Sequence, residues 1–148
     1  MPKRGQYLRF VPLLAWGGVI AATSSRFIDR DAFIRFVSRY LPSTSVQGYW
    51  ATFWLYCGIF LVKGWHVTEF AFIYCLVHFA LRTGLGLPAS KTRVWSFVVS
   101  LLFAASDEWH QTFVPGRGGT IIDVGIDLIG ITLAAIILYQ RDKRNLKG

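Results

Sequence analysis

Four long apolar segments, separated by short segments that carry most of the charges, constrain this fold more than any other feature of the chain. The segments run from about Tyr7 to Ser24, His66 to Leu81, Val94 to Ser106 and Ile121 to Tyr139. Apolar residues make up 53% of the 148 residues and charged residues only 16%, which is too apolar for a water-soluble domain of this size. We therefore predict an all-α fold: a polytopic membrane helical bundle with four transmembrane helices, formed as a single domain by residues 1–148.

A fifth apolar run, from Tyr49 to Val62, leaves the number of spans open. It is short for a membrane span and rich in aromatic residues, which are typical of the lipid headgroup region. We interpret it as an interfacial or re-entrant helix, with a five-span bundle as the alternative.

The segment from Arg26 to Thr44 predicts a helix that lies on the membrane surface. Its apolar residues recur every three or four positions between arginines, as in a basic amphipathic helix. Asp29 or Asp31 can cap such a helix. We expect an interfacial amphipathic helix on the outer side of the membrane, and an ordinary loop packed on the bundle is the alternative.

The distribution of the 16 Lys and Arg residues predicts which side each loop faces. With four or five spans, the positive-inside rule places the loop from Arg82 to Arg93 and the C-terminal tail in the cytoplasm, and the hairpin from Ser106 to Asp123 outside. With four spans, both termini are cytoplasmic. We attribute the net charge of +8 to topology and to contacts with anionic lipids, not to a nucleic-acid partner.

The most polar segment of the chain lies between the third and fourth apolar runs. Helical spacing puts Asp107, His110 and Gln111 on one face, while Glu108 points roughly 100° away. Arg117 follows at the apex of a Pro-Gly turn. Its guanidinium can hold a phosphate or carboxylate through two parallel hydrogen bonds, and a snorkelling residue at the headgroup level is the alternative.

Two aspartates, Asp123 and Asp127, share one face of the fourth span. A charged Asp near the bilayer centre costs roughly 2.5–3.5 kcal/mol, so both must point into the bundle. We expect their partners among Lys63, His66 and Arg117, because these cations are predicted at the same level of the membrane.

His66 and Glu69 are three residues apart at the start of the second apolar run. A histidine and a carboxylate on one helical face can act as an acid–base pair or as two metal ligands. A polar helix end without further function is the alternative.

These polar side chains come from three helices and are predicted to form one site at the outer membrane face. If the protein is an enzyme, the candidate catalytic residues are Asp107, Glu108, His66, Glu69 and Asp123. The candidate substrate- or anion-binding residues are Arg117, Gln111, His110, Lys63 and Asp127. The sequence leaves the cofactor open, with a divalent cation as the candidate. In the enzyme hypothesis Asp107, Glu108, Asp123 and His66 do acid–base work or bind that cation. A polar network that only holds the bundle together is the alternative for the whole set.

Two motifs of this chain closely resemble those of the VanZ-like membrane proteins. One is Asp107-Glu-Trp-His-Gln-Thr-Phe-Val-Pro-Gly-Arg117, followed by Asp123-Val and Asp127-Leu-Ile-Gly130. The other is Lys63-Gly-Trp-His66-Val-Thr-Glu69-Phe, which is similar to the family's Lys-x-x-His-x-x-Glu-Tyr segment. Phe70 stands where a Tyr is usual, and Val62 where an Arg often precedes the Lys.

The resemblance implies a place in the bacterial cytoplasmic membrane and a role in the cell envelope. In this family the segment before the Lys is typically not counted as a span, which favours four spans here. The founding members are associated with resistance to teicoplanin, a glycopeptide that targets cell-wall precursors and carries a lipid tail. The resemblance supplies no reaction.

Two functional hypotheses follow. The first is recognition of an anionic envelope lipid, a lipid-linked wall precursor or a lipoglycopeptide, with membrane lipids as partners. The second is an enzyme, a metal-assisted lipid-phosphate hydrolase or phosphotransferase, in which Arg117 holds the phosphate and the acidic residues and His66 carry out acid–base chemistry or bind the cation.

Overall fold

The computed structural model describes residues 4–26 and 29–145, and this part of the chain is helical with no β-strand. A 3₁₀ turn, Arg4–Phe10, leads into the first α-helix. The five α-helices are α1 (Val11–Ser24), α2 (Arg30–Ser38), α3 (Thr44–Phe79), α4 (Ala89–Gln111) and α5 (Ile121–Asn145). The predicted all-α fold is confirmed.

Three helical segments in the described residues are long and apolar enough to cross a membrane, namely Gly5–Ser24, Thr44–Gly84 and Ile121–Arg144. The helix that corresponds to the third predicted span, α4, has 23 residues and is about 34 Å long. It is long enough for a span but more polar, because serines and acidic residues replace apolar ones along it. The four-span count therefore stays a prediction.

The longest helix, α3, joins two segments that the sequence analysis separates. The runs Tyr49 to Val62 and His66 to Leu81 form one helix of 36 residues. The short stretch between the two runs contains no proline. Its single glycine, Gly64, costs a helix only about 1 kcal/mol. The chain does not reverse there, so the described structure contains no separate fifth crossing.

Both ends of α3 are explained locally. Ser43 caps the first turn by accepting a hydrogen bond from the Val46 amide. At the other end the helix continues into a π-helical turn, Ala80–Gly84. Gly84 packs against Phe10, where an added Cβ would be 2.7 Å from the ring.

Helix α2 begins where a capping Asp was predicted. The Asp29 carboxylate accepts a hydrogen bond of 2.7 Å from the Ala32 amide. Phe33 of α2 packs edge-on against Trp54 of α3, with ring centroids 5.0 Å apart. The helix is shorter than the segment predicted for it, and its placement on the outer membrane surface stays a prediction.

Contacts between side chains show how α3, α4 and α5 run relative to one another. Lys63 with Asp123 and His66 with Asp127 rise together along α3 and α5, so these two helices are parallel. Arg93 near the start of α4 meets Asp142 near the end of α5, so α4 and α5 are antiparallel.

The core is built mainly between α3 and α5, with α1 and α4 against them. Its fully buried members include Ile20, Phe70, Tyr74 and Ile131. Gly130 allows α5 to approach α3 closely, because a Cβ at this position would collide with the Val67 carbonyl oxygen.

The polar residues meet where α1 and α4 end and α5 begins, which we call the site end. The second half of α3, from Lys63 onward, and the π-helical turn that ends at Gly84 run from this end through the bundle. Together they cover roughly 32 Å, close to the thickness of a bilayer core. The part from Thr44 to Val62 extends beyond the site end and carries α2.

Candidate functional site

The site end buries an unusual number of polar side chains for a small bundle. Glu69, Asp107, Glu108, Gln111 and Asp127 are all at most 6% exposed. Because a buried polar group without a partner is costly, the hydrogen bonds and charges around each one decide what the cluster can do.

Asp107 links α4 to α1. One carboxylate oxygen, Oδ2, accepts hydrogen bonds from Ser24 Oγ at 2.9 Å and from Gln111 Nε2 at 2.8 Å. Asp107 therefore has two donors and ties the end of α1 to the end of α4.

Glu108 faces the hairpin between α4 and α5. Its Oε1 accepts a hydrogen bond from Gln111 Nε2 at 3.1 Å, and its Oε2 accepts one from the Thr120 amide at 3.2 Å. The hairpin lies close to α4 here, since a Cβ on Gly119 would collide with the Glu108 carbonyl oxygen. Gly116 has a positive φ of 81°, which favours glycine in the turn.

Two pairs join α3 to α5. Lys63 Nζ forms an ion pair with Asp123, which also accepts a hydrogen bond of 3.0 Å from Thr120 Oγ1. One turn further along, His66 Nδ1 lies 3.5 Å from Asp127 Oδ1. Lys63 and His66 are two of the three partners expected for these aspartates.

The Asp127 carboxylate accepts no hydrogen bond from any of the described residues on either of its oxygens. Its side chain is 0% exposed. His66 Nδ1 and Glu69 Oε1 are likewise buried without a hydrogen-bond partner in this part of the chain.

One group of side chains at the site end has the composition of a metal site. Ligand atoms of His66, Glu108 and Asp127 all lie within 4.8 Å of one another. These three residues come from α3, α4 and α5, so the packing of three helices brings them together.

Arg117, at the apex of the hairpin, lines two adjoining cavities. The larger, of about 570 Å³, is also lined by Lys63, His66 and Glu108. The smaller, of about 330 Å³, is also lined by Ser24, His66 and Glu69. Arg117 Nη1 donates a hydrogen bond of 3.1 Å to Gln111 Oε1, which leaves its other N–H groups for a ligand.

A family model described as VanZ/LLP1 matches residues 9–141. The chain belongs to the VanZ/LLP1 family. This confirms the resemblance found in the two sequence motifs. No curated protein and no solved structure matches.

In this VanZ/LLP1 protein the structure brings nearly all the site residues predicted from helical spacing into one region. Lys63, His66 and Glu69 come from α3, the acidic and amide groups from the end of α4, and Asp123 and Asp127 from the start of α5. His110 lies apart, because it is exposed and its Nε2 is 3.1 Å from Ser25 Oγ. Neither of the two cavities is lined by His110.

Sequence reasoning missed one wall of the larger cavity. Trp54, Leu55, Ile59 and Val62 from the first half of α3 line it, together with Arg30 of α2. From the sequence we interpret the aromatic run as a separate interfacial or re-entrant helix, which does not connect it with the site, whereas the structure joins it to His66 in one helix. The sequence signal for one continuous helix is the absence of a proline between the aromatic run and His66.

Proposed function

We propose that this VanZ/LLP1 protein recognises an anionic envelope lipid, or the lipid-phosphate part of a wall precursor, in the larger cavity at the outer membrane face. The supporting observation is the lining of that cavity. It combines three cationic side chains, Arg30, Lys63 and Arg117, with apolar side chains of α3. An anionic headgroup attached to a hydrocarbon chain has the matching two-part chemistry.

The charges leave Arg117 as the main contact for an anion. Lys63 is paired with Asp123, and Arg30 lies 3.4 Å from Asp31. No carboxylate among the described residues lies within 4.0 Å of the Arg117 guanidinium. A guanidinium with free N–H groups binds phosphate through two parallel hydrogen bonds.

The apolar wall suits a hydrocarbon chain. Leu55 is 56% exposed and Ile59 is 58% exposed, and both line the cavity on the flank of α3. A lipid can therefore enter from the bilayer with its chain along α3 and its headgroup beside Arg117.

A binding assay tests this recognition directly. Full-length protein in detergent is titrated with a polyprenyl phosphate and with the uncharged polyprenol, and binding is followed by tryptophan fluorescence, since Trp54 lines the cavity. We expect preferential binding of the phosphate. Arg117→Ala should weaken it roughly 10- to 100-fold, because hydrogen bonds to charged groups contribute about 1.5–3 kcal/mol.

The matched control is Arg141→Ala, which removes the same charge from an exposed position on α5. It should bind the lipid phosphate like the unchanged protein. Equal affinity for the phosphate and the alcohol, or equal losses in the two arginine variants, would refute the proposal.

A second candidate function is cleavage or transfer of the bound phosphate. It is favoured by Glu108 and His66, an acid and a potential base that line the same cavity as Arg117. Release of inorganic phosphate by the protein with Mg²⁺ or Mn²⁺, lost in Glu108→Gln, would establish an enzyme. Saturable binding without release would establish a binding protein.

A role in resistance fits the same cavity. A lipid-tailed glycopeptide or its wall-precursor target presents hydrocarbon and acidic groups together, and the family's founding members are associated with teicoplanin resistance. Expression in a susceptible bacterium should raise the inhibitory concentration of teicoplanin, and Arg117→Ala should abolish the increase. An unchanged inhibitory concentration would separate this family member from the resistance phenotype.

The outer-face placement has its own test. In a variant with Cys57 and Cys75 replaced, a single cysteine at Gly118 should react with an impermeant thiol reagent in intact cells. A cysteine at Ser90, in the first turn of α4, should react only after lysis. The reverse pattern would put the site in the cytoplasm.

A further inference from the structure

We propose that His66, Glu108 and Asp127 form a binding site for a first-row divalent transition metal ion, such as Mn²⁺ or Zn²⁺, next to the larger cavity. The inference does not depend on lipid recognition. It rests on the charge balance of the site end, on the unpartnered Asp127 carboxylate, on the ligand geometry and on the hydrogen bonds that hold the ligands.

The charge balance of the site end calls for a cation. Glu69, Asp107, Glu108 and Asp127 are buried there. Among the residues that the structure describes, no Lys or Arg nitrogen lies within 4.0 Å of any of these carboxylates. Buried carboxylates in proteins are paired, bound to metals or protonated, because burial of a charge without a counter-charge is costly. A metal ion would let several carboxylates of this group keep their charge.

Asp127 is the group that points to a ligand. Its carboxylate is fully buried and neither oxygen has a donor in the described chain. A charge-assisted hydrogen bond to His66 would be about 2.7–2.9 Å long, whereas the atoms are 3.5 Å apart. His66 Nδ1 therefore lies beside the Asp127 carboxylate at a distance longer than that of a strong charge-assisted hydrogen bond.

The separations fit a shared ion. Atoms bound about 2.1 Å from one ion lie about 3.4 Å apart in tetrahedral geometry and at most about 4.2 Å apart. His66 Nδ1 and Asp127 Oδ1 already meet the first value. The full set lies within 4.8 Å, so any pair beyond 4.2 Å needs to approach by no more than about 0.6 Å for one ion to bind all three side chains.

The donor types select the kind of metal. One imidazole nitrogen and two carboxylates favour first-row transition ions, whereas Mg²⁺ and Ca²⁺ prefer all-oxygen ligands. Glu108 is held in place by Gln111 and by the Thr120 amide, as ligands of metal sites commonly are. His66 and Glu108 line the cavity, so an ion held by these residues would be accessible from it.

The test uses full-length protein in detergent, stripped with EDTA and titrated with Mn²⁺ or Zn²⁺ alone. We expect about one ion per chain. His66→Gln, Glu108→Gln and Asp127→Asn should each weaken binding roughly tenfold or more, since even outer-shell changes cost 10- to 100-fold. Asp142→Asn, which makes the same charge change near the other end of α5, should leave binding unchanged.

Pulsed electron paramagnetic resonance on bound Mn²⁺ gives a result that a structural role would not produce. A histidine nitrogen coupling should be present in the unchanged protein and absent in His66→Gln. This measurement on the unchanged protein does not require any variant to fold. Failure to bind Mn²⁺ or Zn²⁺, binding without a nitrogen coupling, or undiminished binding in Asp127→Asn would each overturn the proposal.

Discussion

The polar groups between α4 and α5 are arranged in opposite ways at the two ends of the bundle. At the end away from the site, Arg93 forms a 3.0 Å ion pair with Asp142 and lies over the Tyr139 ring, and both charged groups are partly exposed. At the site end, Glu108 and Asp127 are buried without a Lys or Arg within ion-pair distance among the described residues. The first arrangement is sufficient as a structural contact. The second leaves charge available for a ligand.

The close approach of α3 and α5 at the site level gives the largest expected effect on stability. A Cβ on Gly130 would collide with the Val67 backbone, so Gly130→Ala must push the helices apart and should destabilise the protein by about 3 kcal/mol. Thermal unfolding in detergent, followed by circular dichroism, measures it.

The control for this prediction is Gly125→Ala on the same helix, where an added Cβ meets no described atom within 4 Å. It should raise stability slightly, because Ala is the better helix former by about 1 kcal/mol. If both substitutions shift the unfolding temperature in the same direction, the close contact between α3 and α5 at Gly130 does not set the stability of the protein as predicted.

Removal of the unpartnered carboxylate should have the next largest effect, with the opposite sign. In EDTA, Asp127→Asn replaces a buried charge that lacks a donor with a neutral amide of the same shape. We expect a gain of about 1–2 kcal/mol in unfolding free energy, measured by the same thermal unfolding. A loss of stability would mean that His66 satisfies Asp127 as a simple ion pair, and the contrast between the two ends would disappear.

The paired aspartate at the other end should give the smallest effect. Asp142→Asn breaks a partly exposed ion pair with Arg93, and such pairs contribute about 0.2–1 kcal/mol. We expect a small loss that shrinks further in high salt, because salt screens exposed charges. A loss larger than that from any site-end variant would reverse the interpretation of the two ends.

Much of the site was predictable from helical spacing and the VanZ-like motifs. Spacing of three and four residues grouped Asp107 with Gln111, and Asp123 with Asp127, and the cost of buried charge required partners such as Lys63 and His66. The structure places these groups together at one end of the bundle.

The rest depends on tertiary contacts that spacing does not encode. Whether α3 is interrupted at Lys63 and Gly64 depends on packing, since both residues are compatible with a helix or a helix end. His110 shares a helical face with Asp107, but only part of that face is buried against the neighbouring helices. It therefore lies at the exposed edge beside Ser25.

The length of α3 has a consequence for how the protein sits in a bilayer. The 36-residue helix is about 54 Å long, whereas the hydrocarbon core is about 30 Å thick. Tilting alone would require an angle of about 56° to immerse the whole helix, beyond the range of up to about 40° seen for spanning helices. Part of α3 must therefore extend beyond the hydrocarbon core of a bilayer that the helix crosses. Under the proposed outer-face placement, this hydrophobic mismatch puts part of the aromatic half among the headgroups, with the mouth of the larger cavity at the depth of the lipid phosphates.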